Sequence, residues 1–305
     1  MQQESIFIPF EEKNRLHLKR IYKNVNGIPV FMLHGAIENG KIFYSNSGKG
    51  LAPFLAQNGY DVFIADLRGR GQSSPQINRH SEYGQTESIL YEIPAFINKI
   101  IEIKGDVKQH WIAHSWGGVL MLSYLARTKQ INQVQSMVFF GTKRRISTKS
   151  LKKFYMIDLM WNLVPKIIKP ICGYLPAVEL KMGSDNETHK SHRQSCEWVN
   201  MKKWIDTDDG FNYTEQFINM ILPHTLYLTG KNDDVLCHPT DMKLLMTEIG
   251  QNQPKEFKIV GKDTGHLHDY NHIDLLTHPK ANNDHFPLVV DWLKKHEKQI
   301  LKHND

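Results

Sequence analysis

Residues 110–122, HWIAHSWGGVLML, pass from a strand-like apolar run into a helix-like one with no linker between them. The reversal falls on Ala113-His114-Ser115-Trp116-Gly117, where a small residue stands two places before and two places after the serine. A turn that tight has no room for flanking side chains, and it lifts the residue at its apex above the edge of the sheet. A serine acting only as a helix cap would not need small residues on both sides. The stretch therefore asks for a strand inside a sheet, feeding at once a helix that packs back on it.

The rest of the chain supplies such a sheet. SIFIPF and LHLKRIYKN read as two opening strands joined by the polar EEKNR. PVFMLHG, YDVFIADLRG, HWIAHS, SMVFFG, TLYLTG and KEFKIVG follow, several of them apolar throughout, as strands covered on both faces are. Helical patterns separate them: GLAPFLAQNG, residues 87–104, GGVLMLSYLARTK, PTDMKLLMTEIG and a closing HFPLVVDWLKKHEKQIL. This alternation predicts an α/β fold with a mostly parallel, doubly wound sheet behind an antiparallel opening. Ligands of such sheets bind at the carboxyl ends of the strands.

Between SMVFFG and TLYLTG lie more than 80 residues with no clear strand pattern. A bare loop of that length is improbable. The expected division is a core of residues 1–142 and 222–305 with a mostly helical cap insertion at 143–221. Within it, residues 150–163 place Leu151, Phe154, Ile157, Met160 and Trp161 near one helical face. Phe154, Met160 and Trp161 are thereby candidates for the wall of an apolar substrate pocket, while packing on the sheet is the plainer role for the same stripe. Lys149, Lys152, Lys153, Lys166 and Lys169 flank it, so weak contact with an anionic membrane surface is an expectation too. Residues 173–194 turn polar and read as a mobile part of the cap.

In sequence order and motif the chain resembles the α/β-hydrolase fold family, nearly throughout apart from the insertion. The Ala113–Gly117 turn is similar to the family's nucleophile elbow, with Ala113 where glycine is usual. Leu33-His34-Gly35-Ala36 resembles its His-Gly oxyanion turn, and Asp66-Leu67-Arg68-Gly69-Arg70-Gly71-Gln72-Ser73 its Asp-x-Arg-Gly-x-Gly-x-Ser loop. That loop reads as structural, so Asp66 and Arg68 are not expected in catalysis.

The resemblance implies a Ser-His-Asp triad in the chain order Ser, acid, His. Ser115 is the nucleophile. The acid follows TLYLTG, where Asp233 and Asp234 are both available; the family's position three residues after the glycine selects Asp233. The base comes from the loop after KEFKIVG, which holds His266, His268 and His272. Tyr270-Asn271-His272-Ile273-Asp274-Leu275 is similar to the Tyr-x-His-Leu-Asp-Phe run of acid-lipase-like hydrolases, which favours His272. Ala281, Phe286-Pro287 and Trp292-Leu293 extend the likeness to bacterial esterase-like members. The backbone N–H groups of Trp116 and Ala36 are the implied oxyanion donors.

The resemblance thus implies a serine esterase acting on a small-molecule ester of short to medium apolar acyl chain, with no cofactor. Acyl transfer, or cleavage of amide, thioester or carbon–carbon bonds, would use the same groups, and a binding protein on the same fold is the rival outside enzymes. A metal set from the three histidines with Asp269 or Asp274, or with Cys237 and His238, lacks the usual zinc spacing. The charge balance, 38 Lys and Arg against 32 Asp and Glu, is mild and dispersed, which speaks against nucleic acid. Cys172, Cys196 and Cys237 are far apart and odd in number, so no disulfide framework is expected. No signal-like start or run of about 18 apolar residues is present, so a cytoplasmic protein without a membrane span is expected.

Overall fold

A computed structural model of the chain describes residues 1–250 and 253–301; residues 169, 170 and 298–301 are described by their backbone alone, so the Lys169 side chain lies outside the described residues. Eight strands form one sheet in the order β1-β2-β4-β3-β5-β6-β9-β10. They are β1 (Gln2–Phe10), β2 (Asn14–Tyr22), β3 (Pro29–Leu33), β4 (Asp61–Asp66), β5 (Gln109–His114), β6 (Val134–Phe140), β9 (Thr225–Gly230) and β10 (Lys255–Val260). A two-strand ladder of β7 (Tyr174–Leu175) and β8 (Glu187–Thr188) lies outside the sheet. Strand β2 runs antiparallel to both its neighbours, and the rest of the main sheet is parallel.

Alternation within the apolar strands builds two cores. Phe31 and Leu33 of β3 enter one hydrophobic cluster, together with α2 (Ile93–Lys104) and α3 (Trp116–Thr128). Val30 and Met32 enter the other, with α1 (Leu51–Gln57) and the closing helix α8 (Phe286–Leu301). Successive side chains of a strand point to opposite faces, so a continuous apolar run is what a sheet covered on both sides requires.

Register brings the strand ends level. Leu33 pairs with Ala113, His114 with Phe140, and Phe140 with Leu228. The loops after β3, β5, β6 and β9 therefore leave the sheet side by side.

The segment after β6 departs from its expected form in three ways. Its first helical stretch is not one α-helix: Phe154–Leu163 is π-helical and leads into α4 (Val164–Cys172). A wider turn removes the 3–4 spacing that placed Leu151, Phe154, Ile157, Met160 and Trp161 on one face, and of these only Ile157 is buried. Second, it contains the β7–β8 ladder, whose two-residue strands are too short to leave a periodic pattern. Third, residues 173–194 are tied down: the Ser184 and Asp185 N–H groups donate to the Ile37 carbonyl at 3.0 and 3.2 Å, and the Gly71 N–H donates to Asp185 at 2.8 Å. The segment ends with α5 (His189–Asn200) and α6 (Tyr213–Ile218), and α7 (Pro239–Glu248) follows β9. Among the described residues no helix is long and apolar enough to cross a membrane.

Candidate active site

Ser115 sits between β5 and α3 with φ 51° and ψ −122°. That is the left-handed side of backbone space, which a side-chain-bearing residue adopts only under constraint, here from its Phe140 carbonyl bond at 2.7 Å and from helix packing. The small residues have a visible reason. A Cβ on Gly117 would collide with the carbonyls of Leu33 and His34, and one on Gly35 would lie 2.8 Å from the Ser115 Cβ. The turn brings β3 and β5 too close for anything larger.

His272 reaches Ser115 from the loop after β10. Its Nε2 lies 2.9 Å from Ser115 Oγ, and its Nδ1 lies 2.5 Å from Asp233 Oδ2. Asp233 is held in turn by the Cys237 N–H, which donates to its other oxygen at 2.7 Å. With Nδ1–H directed at a carboxylate, Nε2 is left as an acceptor facing the serine hydroxyl. Burial pushes the His272 imidazole below its ordinary value, with Asp233 pulling the other way. Burial also opposes the Asp233 charge, but the neighbouring His272 and the Cys237 N–H hold that carboxyl below the usual range.

The other candidates are elsewhere. Asp234 is exposed and pairs with Lys152 at 3.2 Å. His266 bonds Asp284 at 2.7 Å, and His268 stacks on His278 with ring centres 4.1 Å apart. The histidines of the loop thus face different partners, and no group of three His, Cys, Asp or Glu among the described residues could hold a metal ion. Asp66 binds His17 at 2.7 Å and the Gly40 and Gln72 N–H groups at 2.8 and 3.0 Å, which makes it a brace for its loop.

The Trp116 N–H opens α3, so no residue of its own helix can accept from it. The Ala36 N–H lies in the turn after β3 and has no acceptor among the described residues. That turn is fixed by His34, whose Nε2 accepts from the Leu67 N–H at 3.1 Å while its Nδ1–H donates to the Gly35 carbonyl at 2.8 Å. The pocket candidates Phe154, Met160 and Trp161 are not brought to this turn. The cavity walled by Ala36 and Trp116 is lined instead by Leu67 and Leu120 together with polar residues, among them Arg70, Tyr83 and Thr188. Phe154 is 59% exposed, and the Trp161 ring lies against His192 at 4.9 Å.

Two residues that the motif reading passed over stand directly behind the site. Fully buried His114 has its Nδ1 2.6 Å from Glu38 Oε1 and its Nε2 3.1 Å from the His272 carbonyl. A carbonyl only accepts, and Glu38 Oε1 already accepts from the Gly35 N–H at 2.5 Å. The ring therefore satisfies both neighbours by carrying two protons. Burial works against that charge, but Glu38 outweighs it and holds His114 above its ordinary value. The pair links the Gly35-Ala36 turn to the backbone of His272. Glu38 could have been sought three residues after Gly35; His114 carries no signal beyond its place in the elbow.

The comparisons with known proteins agree with this fold. A family profile described as the alpha/beta hydrolase fold matches residues 28–165. The lipase lipl-3 of Caenorhabditis elegans is 30% identical over 132 residues, 41% of this chain and 33% of that protein. Lipase member K of Homo sapiens is 33% identical over 151 residues, 47% of this chain and 37% of that protein. The matched stretches thus span little more than a third of these relatives. An esterase from Exiguobacterium antarcticum superposes with a TM-score of 0.60 at 17% identity, covering 95% of this chain and 100% of that one. Fold, elbow and family profile converge: the chain has the alpha/beta hydrolase fold that the profile describes over residues 28–165.

Proposed function

We propose that this chain is a serine hydrolase that cleaves small carboxylic esters through an acyl-enzyme. The observation that carries the reading is the continuous chain Ser115 Oγ, His272, Asp233, with contacts of 2.9 and 2.5 Å. A serine hydroxyl is a weak nucleophile until a base takes its proton. In this reading His272 Nε2 accepts the Ser115 proton as Oγ attacks the ester carbonyl, and Asp233 stabilises the imidazolium. The Ala36 and Trp116 N–H groups hold the oxyanion; losing one such donor costs about 3 kcal/mol of transition-state stabilisation. His272 then gives the proton to the departing alcohol, and water repeats the sequence on the acyl-enzyme. No metal or cofactor enters this scheme. Residues 143–221 would serve as the cap, a role supported by the Glu187 and Thr188 walls of the cavity beside Ala36.

The test is Ser115→Ala, assayed on an ester panel and with a fluorophosphonate. The variant should lose turnover and labelling and keep its thermal midpoint. A labelled Ser115→Ala would put the nucleophile elsewhere, and transfer to an added alcohol in place of water would favour the acyltransferase reading. His272 must be neutral to act as base, and burial holds its imidazole below the ordinary histidine value. The acid limb of kcat/KM should therefore fall below pH 6.5, and a limb above it would contradict the buried geometry.

A further inference from the structure

Between the sheet and the segment after β6 lies a cavity of about 20 Å³, walled by Ala36 and Trp116, by Arg70 and Tyr83, and by Glu187 and Thr188. It holds a group of one or two waters' size. Arg70 is its unusual wall. The residue is only 6% exposed, and its Nη2 donates to Glu187, itself 1% exposed. Its Nε and Nη1 find no acceptor among the described residues, and neither does the indole Nε1 of buried Trp116. Buried donors are normally paired. A guanidinium and an indole offer donors only, so a fitting occupant presents acceptors.

The charge around the cavity has the same sense. Arg68 and Arg70 line it against one carboxylate, Glu187. The buried partner of Arg68 is Glu92, 3.4 Å away, whose carboxyl burial pushes up toward its neutral form. The position of the cavity decides which half of an ester could enter. In the proposed reaction the departing alcohol must lie against His272 Nε2 to receive its proton. Ala36 and Trp116, whose N–H groups the proposed reaction uses, line the cavity, and no residue from the Asp233 or His272 loops does. It lies on the acyl side.

We propose that this cavity receives the far end of the acyl group and selects a short acyl chain ending in a carboxylate, so that the substrate class is the monoester of a dicarboxylic acid. The proposal rests on the ester-hydrolase reading and sharpens it. In place of the expected acyl wall of Phe154, Met160 and Trp161 it puts a mixed one, apolar at Leu67 and Leu120 and polar at the Arg70 loop and the β8 region.

The experiment compares monomethyl succinate, glutarate and adipate with methyl butyrate, valerate and hexanoate, each pair matched in chain length, by acid release in a pH-stat. At one length the wild type should favour the carboxylate-bearing ester by about tenfold in kcat/KM, the scale of a hydrogen bond to a charged group. Arg70→Gln should bring that ratio to one or below, read as the ratio of the two esters at each length whatever the absolute rates. Glu187→Gln, which removes the competing carboxylate, should raise it. If Arg70→Gln fails to fold, Glu187→Gln and inhibition of the wild type carry the test: free succinate or glutarate should compete with substrate better than butyrate or valerate. Equal or better turnover of the neutral esters, with no extra inhibition by dicarboxylates, would overturn the proposal, make the cavity a water site, and leave the hydrolase reading standing. Absence of turnover on every ester together with an unlabelled Ser115 would bring down the hydrolase reading, and this proposal with it.

Discussion

The two halves of the segment between β6 and β9 use similar residue types and are held in opposite ways. In the first half Leu151 is 89% exposed, Phe154 59% and Ile171 71%. In the second, Trp198, Trp204, Tyr213 and Phe217 are all buried and belong to the same cluster as Trp116 of α3. The Trp198 ring packs tilted against Trp116 with ring centres 6.3 Å apart and edge-on against Tyr213 at 5.4 Å. Apolar content alone does not decide which half packs. Polar anchors do: Arg127 of α3 reaches Asp206 at 2.7 Å, and buried Arg144 binds Glu248 of α7 at 2.6 and 2.8 Å and the Met201 carbonyl at 2.9 Å. Each anchor fixes a stretch of the second half against a core helix, where its aromatics can then bury their area. Arg144 itself stands at the start of the first half, whose residues 151–171 carry an exposed pair, Lys152 with Asp234 at 3.2 Å, in place of such buried anchors.

The largest break in this comparison should come from Trp198→Ala. Emptying a fully buried indole site costs about 3–5 kcal/mol, and because Trp198 backs Trp116, ester turnover should fall along with the thermal midpoint. A midpoint unchanged by this substitution would mean that the second half is not part of the core. Arg144→Met comes next. Removing the cation leaves Glu248 without its main partner, at a cost of about 3 kcal/mol or more; denaturant melts should show it, and the proteolytic cut sites should move into residues 198–203 first. Least of all should be Phe154→Ala and Leu151→Ser in the first half, each within about 0.5 kcal/mol of the parent. Phe154→Ala should also leave the acyl chain-length profile of ester hydrolysis unchanged. A profile that flattens would show that this half closes onto the site during turnover.

Of the proposed triad, Ser115 was legible from a local pattern with a steric cause, while Asp233 and His272 were picked out by the family likeness. The small residues around Ser115 report how closely β3 approaches β5, and Asp233 follows a strand ending in glycine. For His272 the loop itself left three histidines equal, and only the family likeness separated them. The structure separates them by partners: His266 is taken by Asp284 and His268 by His278. The stripe of residues 151–161 misled because a period of 3.6 was assumed where the backbone is π-helical. Nothing local marks that change of pitch.

By itself the sequence determined the mostly parallel sheet covered on both faces and the tight turn at Ser115; the order of the proposed triad came from the family likeness. The first two follow from near-neighbour patterns: alternation, an apolar run, a turn too tight for large side chains. Only the tertiary structure decided that Arg70 faces a cavity beside Ala36, that His114 and Glu38 form a buried pair behind His272, and that Trp198 belongs to the core. These depend on groups far apart in the chain, such as His114 and Glu38, 76 positions apart, or Arg70 and Glu187, 117 apart. Their meeting is set by strand register and helix packing, and no local period in the sequence records it.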